Sequence, residues 1–163
     1  MIAVQPTAGG VLQNIPPFRT GDSALAVLER LRDIGVAVLV DDDNRPFDIL
    51  TSKDVEVVRS RTHNLGPDSR ASSLFASTRR YLHVVKVSDD VRAISRVVAA
   101  NNLVPGVVAV DDNGRYAGYV FNEDLQKKVE TFFNEAVEQV ERVKQAYPAA
   151  WSAVGERITS SVK

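Results

Sequence analysis

Thr51 and Asp54 stand three residues apart in Ile49-Leu50-Thr51-Ser52-Lys53-Asp54-Val55, where an apolar run gives way to a polar start of a helix. A hydroxyl that ends a strand and a carboxylate in the first turn of the next helix can converge on one small polar ligand. The carboxylate can accept two hydrogen bonds from neighbouring hydroxyls of such a ligand. The same residues also read as a capping box, with Thr51 as N-cap and Asp54 as the N3 acid that complements the helix dipole. One copy of the pair leaves both readings open.

Other chemistry-bearing residues cluster downstream. Arg59, Arg61, His63, Arg70, Arg79 and Arg80 lie in the middle of the chain. Of these, Arg79-Arg80, just ahead of the apolar strand expected over Tyr81 to Val87, suits a phosphate best, because a guanidinium grips phosphate in a bidentate fork. The rest read equally well as the solvated charges of a surface loop. His63 and His83 read as a loop residue and a strand residue, since neither has a second ligand at i+3 or i+4. Asp41, Asp42 and Asp43 are consecutive, point in different directions and lack the spaced oxygens of a calcium loop, so a solvated turn is expected and no metal site. There is no Gly-rich phosphate loop ending in Lys-Ser/Thr, no G-x-G-x-x-G, no H-E-x-x-H and no G-x-S-x-G. With no cysteine, thiolate zinc sites and cysteine nucleophiles are excluded as well. The reading is a binding protein and not an enzyme.

These residues sit on a repeated framework. Ala24-Leu25-Ala26-Val27-Leu28-Glu29-Arg30-Leu31 and Ala93-Ile94-Ser95-Arg96-Val97-Val98-Ala99-Ala100 both carry apolar residues at helical spacing. Each follows a polar start able to cap it, Thr20-Gly21-Asp22-Ser23 and Ser88-Asp89-Asp90. The short runs Val36 to Val40 and Val107 to Val110 are too short for helices and too apolar for exposed strands, so they predict buried strands. Both enter acidic turns, Asp41-Asp42-Asp43-Asn44 and Asp111-Asp112-Asn113-Gly114. Asn-Gly suits a tight hairpin with φ > 0 at its central residues. Antiparallel returns follow over Pro46 to Leu50 and Tyr116 to Val120, then second helices starting at Ser52-Lys53-Asp54 and Asn122-Glu123-Asp124. Val40 to Val110 and Asp54 to Asp124 are each 70 residues apart while Leu25 to Ile94 is 69, which places an insertion near Pro105-Gly106.

The 163 residues fit one two-repeat unit plus an appendage. A hydrophobic share of 44% and a charged share of 25% are those of an ordinary globular protein. A net charge of -1 offers no field to attract nucleic acid or anionic lipid, so neither is expected as a partner. The start MIAVQPTAGG has neither a basic beginning nor a long apolar stretch, and the cytosol is the expected compartment.

Residues 8 to 125 resemble the cystathionine-β-synthase (CBS) domain family, whose repeats come in pairs called Bateman modules. The resemblance rests on the acidic hairpin and on Ile49 to Val55, which is similar to the family's hydrophobic-hydrophobic-Thr/Ser-x-x-Asp element. It implies an α/β (α+β) fold of tandem repeats, each a small sheet packed with two helices. The repeats would cover residues 8–60 and 85–125, with 61–84 as connector and start of the second copy, and 126–163 as a helical extension. It further implies a cleft between the repeats for an adenosine-containing ligand, AMP, ADP, ATP or S-adenosylmethionine, with no other cofactor, and a homodimer. The expected nucleotide-binding residues are Thr51, Asp54, Thr20, Arg79, Arg80 and Asp124. The second copy departs from the pattern, because Phe121 stands where Thr is expected and a large apolar side chain fills the pocket. One good site is therefore expected, around Thr51 and Asp54, with the second weakened or lost. Asp48 replaces a glycine that Gly118 keeps in the second copy, and an added acid there disfavours polyphosphates.

From Glu123 to Tyr147, the residues Val129, Phe133, Ala136, Val140, Val143 and Tyr147 step by 4, 3, 4, 3, 4 along one seam of a helix. Pro148 interrupts it, and Trp151, Val154, Ile158 and Val162 form a further stripe, so the extension is a long amphipathic helix or a helical hairpin. Such stripes face either the chain's own core or a partner. Phe132, Phe133, Val140 and Trp151 are the expected dimer or partner contacts, since large aromatics anchor interfaces. Two functions follow: a sensor that passes ligand state through its C-terminal helices to a protein partner, or a dimeric structural or cargo-docking adaptor that has lost nucleotide binding.

Overall fold

The computed structural model describes residues 6–54, 60, 65–75 and 82–148. The chain divides into two compact units, Met1–Gln126 and Lys127–Lys163. The first holds α1 (Ala24–Asp33), β1 (Val36–Val40), β2 (Pro46–Thr51), a 3-10 turn (Ser52–Asp54), α2 (Ser72–Phe75), β3 (Val84–Lys86), α3 (Val91–Asn101), β4 (Gly106–Val110) and β5 (Tyr116–Phe121). α4 (Asn122–Ala146) starts in the first unit and continues into the second. The fold is mixed α/β, and the helix, strand, strand order of residues 24–54 returns in residues 91–124, as expected from the sequence.

The two hairpins are alike in register. Val36 to Val40 pair antiparallel with Thr51 to Pro46, and Gly106 to Val110 pair with Phe121 to Tyr116. Each has its irregularity at the same place, Leu39/Val40 and Ala109/Val110. Both strands of the inner pair, β1 and β4, are buried along their whole length. Alternation explains it: Ala37 and Leu39 face a cluster with Val27 of α1 and Leu74 and Phe75 of α2, while Val36, Val38 and Val40 face Val108, Val110, Tyr116 and Tyr119 of the other repeat. The repeats thus share a core. β3 adds to β4 in parallel, which makes a three-stranded sheet beside the two-stranded β1-β2 sheet. Of the strand expected over Tyr81 to Val87, Val84–Lys86 forms, and Tyr81 lies outside the described residues.

Two local expectations are corrected. The acidic turns are longer than a two-residue hairpin, and each holds one left-handed residue, Asn44 (φ 62) or Gly114 (φ 79), two residues ahead of the returning strand, instead of a central pair. Asp41 Oδ1 organises its turn by accepting from the N–H groups of Asp43 and Arg45, both at 2.9 Å, and Asp111 Oδ1 does the same for Asn113 and Arg115 at 2.9 and 3.0 Å. Ser23 does not cap α1 with its side chain; the Ala24 N–H donates instead to the Ser69 carbonyl at 2.9 Å. Residues 61–84, read as connector and start of the second repeat, contain α2, whose Leu74 and Phe75 are buried.

The C-terminal helix forms as its seam requires and ends ahead of Pro148. Trp151 and the stripe beyond it lie outside the described residues. No helix among the described residues is long and apolar enough to cross a membrane.

Candidate functional site

The end of β2 carries Thr51 into a cavity of about 270 Å³. Ile49, Thr51 and Lys53 line it from the first repeat; Leu82, His83, Gly106 and Tyr119 line it from the second. The loop after α3 supplies Asn102, Leu103 and Val104. That loop runs from Asn102 to Pro105, whereas only Ile34 and Gly35 separate α1 from β1, so the insertion seen near Pro105-Gly106 becomes a cavity wall. Each helix leaves through one left-handed residue, Gly35 (φ 85) or Asn102 (φ 50), the conformation that suits Gly and Asn at a C-terminus.

Asp54 does not line the cavity. It is 1% exposed, behind Thr51. Its Oδ2 accepts from the Thr51 N–H at 2.8 Å and from the Thr51 hydroxyl at 3.3 Å. The Thr51 hydroxyl in turn accepts from the Lys53 N–H at 3.3 Å. Capping and site-building therefore coexist: Asp54 fixes the Thr51 rotamer, and the hydroxyl keeps one lone pair for a donor in the cavity. Lys53, exposed like Ser52 in this turn, reaches the Asn102 carbonyl with its Nζ at 3.4 Å across the repeats.

Tyr119 forms the opposite wall. It is fully buried, and its hydroxyl finds no acceptor among the described residues. Burial holds that phenol protonated well above the ordinary tyrosine range, with the Gly106 backbone opposing and Tyr116 adding to the shift. Tyr116 has the contrasting fate: its hydroxyl donates to the Ile15 carbonyl at 2.7 Å, and burial pushes its pKa up to about 12.

The equivalent position of the second repeat is filled. Phe121 packs against the cluster that contains Ile15 and Val36, and its ring meets Tyr119 edge-on at 4.9 Å. Asp124, the counterpart of Asp54, accepts at 2.7 Å from Nε2 of Gln13. Gln13 reaches it because its segment pairs with Tyr119, N–H to carbonyl in both directions at 2.8 and 2.9 Å. Gly118 permits that crossing, since a Cβ there would stand 2.7 Å from the Gln13 carbonyl oxygen. Asp48, in the glycine's place in the first repeat, is buried and accepts from the Ile49 N–H at 2.8 Å.

Of the residues picked from sequence, Thr51 lines the cavity and Asp54 supports it. Thr20 and Asp124 do not line it: Thr20 is exposed, with its carbonyl taking the Ser72 N–H at 3.2 Å, and Asp124 is held by Gln13. Arg59, Arg61, His63, Arg79 and Arg80 lie outside the described residues, and the Arg70 guanidinium donates to the Gly21 carbonyl at 2.8 Å. Lys53, His83, Asn102, Gly106 and Tyr119 were not singled out as ligands. The loop insertion was the one signal that could have pointed to Asn102 and Gly106.

Neither a family model nor a curated protein matches the sequence. Solved structures do. A CBS-domain pair called MJ0100, in complex with 5'-methylthioadenosine and S-adenosylmethionine, matches 78% of this chain over 98% of its own at 20% identity and a TM-score of 0.59. CBSX2 in complex with AMP matches 77% over 97% at 18% identity and 0.58. A CBS-domain protein of unknown function from Kribbella flavida matches 76% over 97% at 19% identity and 0.59. The fold is that of a CBS-domain pair.

Proposed function

From a chain that folds as a CBS-domain pair, we propose a regulatory module, not an enzyme, that binds one adenosine-containing ligand in the cavity beside Thr51 and signals its presence to a protein partner through the C-terminal helix. The observation that carries this is the cavity of about 270 Å³ between the repeats, with a hydroxyl fixed on one wall by a buried carboxylate and the buried Tyr119 on the other. Thr51 accepts a ribose hydroxyl, Asp54 positions Thr51, and Tyr119 backs the far wall. The apolar side chains of Ile49, Leu82, Leu103 and Val107 give the base its walls.

Size and charge favour a nucleoside or nucleoside monophosphate over a triphosphate. Pockets for small molecules run from about 300 to 1,000 Å³, and this one, at about 270 Å³, falls just short of that range. Among its described lining residues Lys53 is the permanent cation, with His83 beside it. Arg79 and Arg80 remain the further phosphate ligands that the sequence suggests. AMP and S-adenosylmethionine are the leading candidates, ahead of ADP and ATP, and the module acts as a homodimer without another cofactor.

A second reading, the adaptor without nucleotide binding, is favoured by one observation: Asp54 is already engaged twice by Thr51 and Asp124 by Gln13. Thermal unfolding with AMP, ADP, ATP and S-adenosylmethionine separates the two. A ligand at 100 times its Kd adds about 2.7 kcal/mol, and Thr51→Val, which removes the hydroxyl and keeps the volume, is expected to lower the affinity about tenfold. Wild-type protein that shifts with none of the four is the adaptor.

A further inference from the structure

Along α4, Phe133 is 66% exposed, Val137 45%, Val140 42%, Val143 52% and Tyr147 67%. These are large apolar side chains at consecutive turns of one helix, with Lys127, Glu135, Glu138, Glu141 and Arg142 on the flanks and back. The seam Val129, Phe133, Ala136, Val140, Val143, Tyr147, with Val137 beside it, alternates strictly between steps of 4 and 3, the 3.5-residue repeat of a helix built to wind against another helix. In heptad terms Phe133, Val140 and Tyr147 take position a, and Val129, Ala136 and Val143 take position d.

We infer that α4 pairs with α4 of a second copy of this chain as a two-fold antiparallel coiled coil. The choice of a second copy, and of direction, comes from matching the seam to itself. In the antiparallel arrangement a faces d of the partner, which sets Phe133 against Val143, Val140 against Ala136 and Tyr147 against Val129. Each layer then joins a larger side chain to a smaller one, the interdigitation that fills a helix interface without voids. Beside these layers e faces e and g faces g. Glu130 therefore meets Lys144 of the other copy, twice by symmetry, and Phe132 meets Ala146. In the parallel arrangement Phe133 and Tyr147 stack on their own copies, and Ala136 faces Ala136 across a gap. The e and g neighbours there are Gln139 with Lys144 and Phe132 with Val137, with no ion pair. Exposed ion pairs add little affinity but set partner and orientation. Only a two-fold axis lets both copies use the same surface and close the assembly at two.

The test uses the absence of cysteine from the chain. Phe133→Cys and Val143→Cys are made separately in the full-length protein, one carrying a size tag, and each is oxidised alone and after mixing. The antiparallel pair brings residue 133 within disulfide reach of residue 143 of the other copy, while like residues lie about ten helical rises, about 15 Å, apart along the axis. The expected result is a covalent dimer of mixed size in the mixture and none in either variant alone. Dimers of each variant with itself overturn the inference in favour of the parallel pair. No cross-link in any sample also overturns it, and is the outcome if residues 149–163 or another protein cover the seam. The readout does not involve nucleotide, so it stands or falls apart from the ligand assignment.

Discussion

Val36 faces Thr51 across the first hairpin, and Gly106 faces Phe121 across the second. These are equivalent positions 70 residues apart, with the large and small side chains redistributed. Pseudo-symmetry of the repeats places Thr51 and Gly106 beside one cleft and Phe121 and Val36 beside the other. The two small residues leave the first cleft open, and the two large ones close the second. The longer loop after α3 adds height to the open side. A repeat protein can thus turn two potential sites into one by moving bulk between equivalent positions, with strand register untouched.

The largest expected difference between the halves lies in the two acids. Asp54→Ala leaves the buried Thr51 N–H without its acceptor, costing about 1–3 kcal/mol, and frees the Thr51 rotamer, so binding is expected to fall more than tenfold. Asp124→Ala removes an exposed contact to Gln13 and is expected to shift stability by less than about 0.5 kcal/mol. Equal losses in chemical denaturation and in ligand titration would erase the asymmetry.

Phe121→Thr sharpens the contrast from the other side. Removing the ring opens a void next to the shared core and costs about 3 kcal/mol. If side-chain bulk is what closed the second cleft, ligand titration of this variant shows a second, weaker equivalent per chain. One equivalent, unchanged, would put the closure down to Gln13 on Asp124.

The smallest difference is at the helix starts. Asp90 caps α3 by accepting from the Arg92 N–H at 2.7 Å, and the Arg92 guanidinium joins it at 3.2 Å. The Arg92 side chain, then its N–H, holds the Asp90 carboxyl below the usual range. A lowered folded-state pKa contributes stability above the unfolded value of about 3.9 and loses it as pH falls through the folded one. Asp90→Ala is therefore expected to cost about 1 kcal/mol at pH 7 and progressively less below about pH 4. Ser23→Ala, at a start capped by a backbone carbonyl, is expected to change little at any pH. Urea midpoints of the variants against pH check both.

Much of this was readable from residue order. Strand runs such as Val36 to Val40 and the 70-residue period carry the hairpins and their shared register, because alternation and turn chemistry are local. Thr51 and Asp54 were visible as a pair for the same reason. Tyr119, Asn102 and Gly106 were not visible as cavity walls, since they reach the cleft only through the packing of one repeat on the other. Gln13 on Asp124 spans 111 residues, and no local pattern announces it. Ser23 looked like a cap, and tertiary context supplied a different acceptor.

The beginning of the chain has a consequence for how the module can be taken apart. Thr7 bridges Asp90, the Gly9 N–H joins the Val87 carbonyl at 2.9 Å, and Gln13 ladders onto Tyr119, all before Phe18 settles beside Leu39. A stretch encoded with the first half completes the second, as a clasp sewn to one side of a garment fastens on the other. The halves are interlocked, and severing the polypeptide at its midpoint yields one fragment with a loose strap and one with a bare edge. A truncation that reaches past Thr7 damages the half encoded furthest from it.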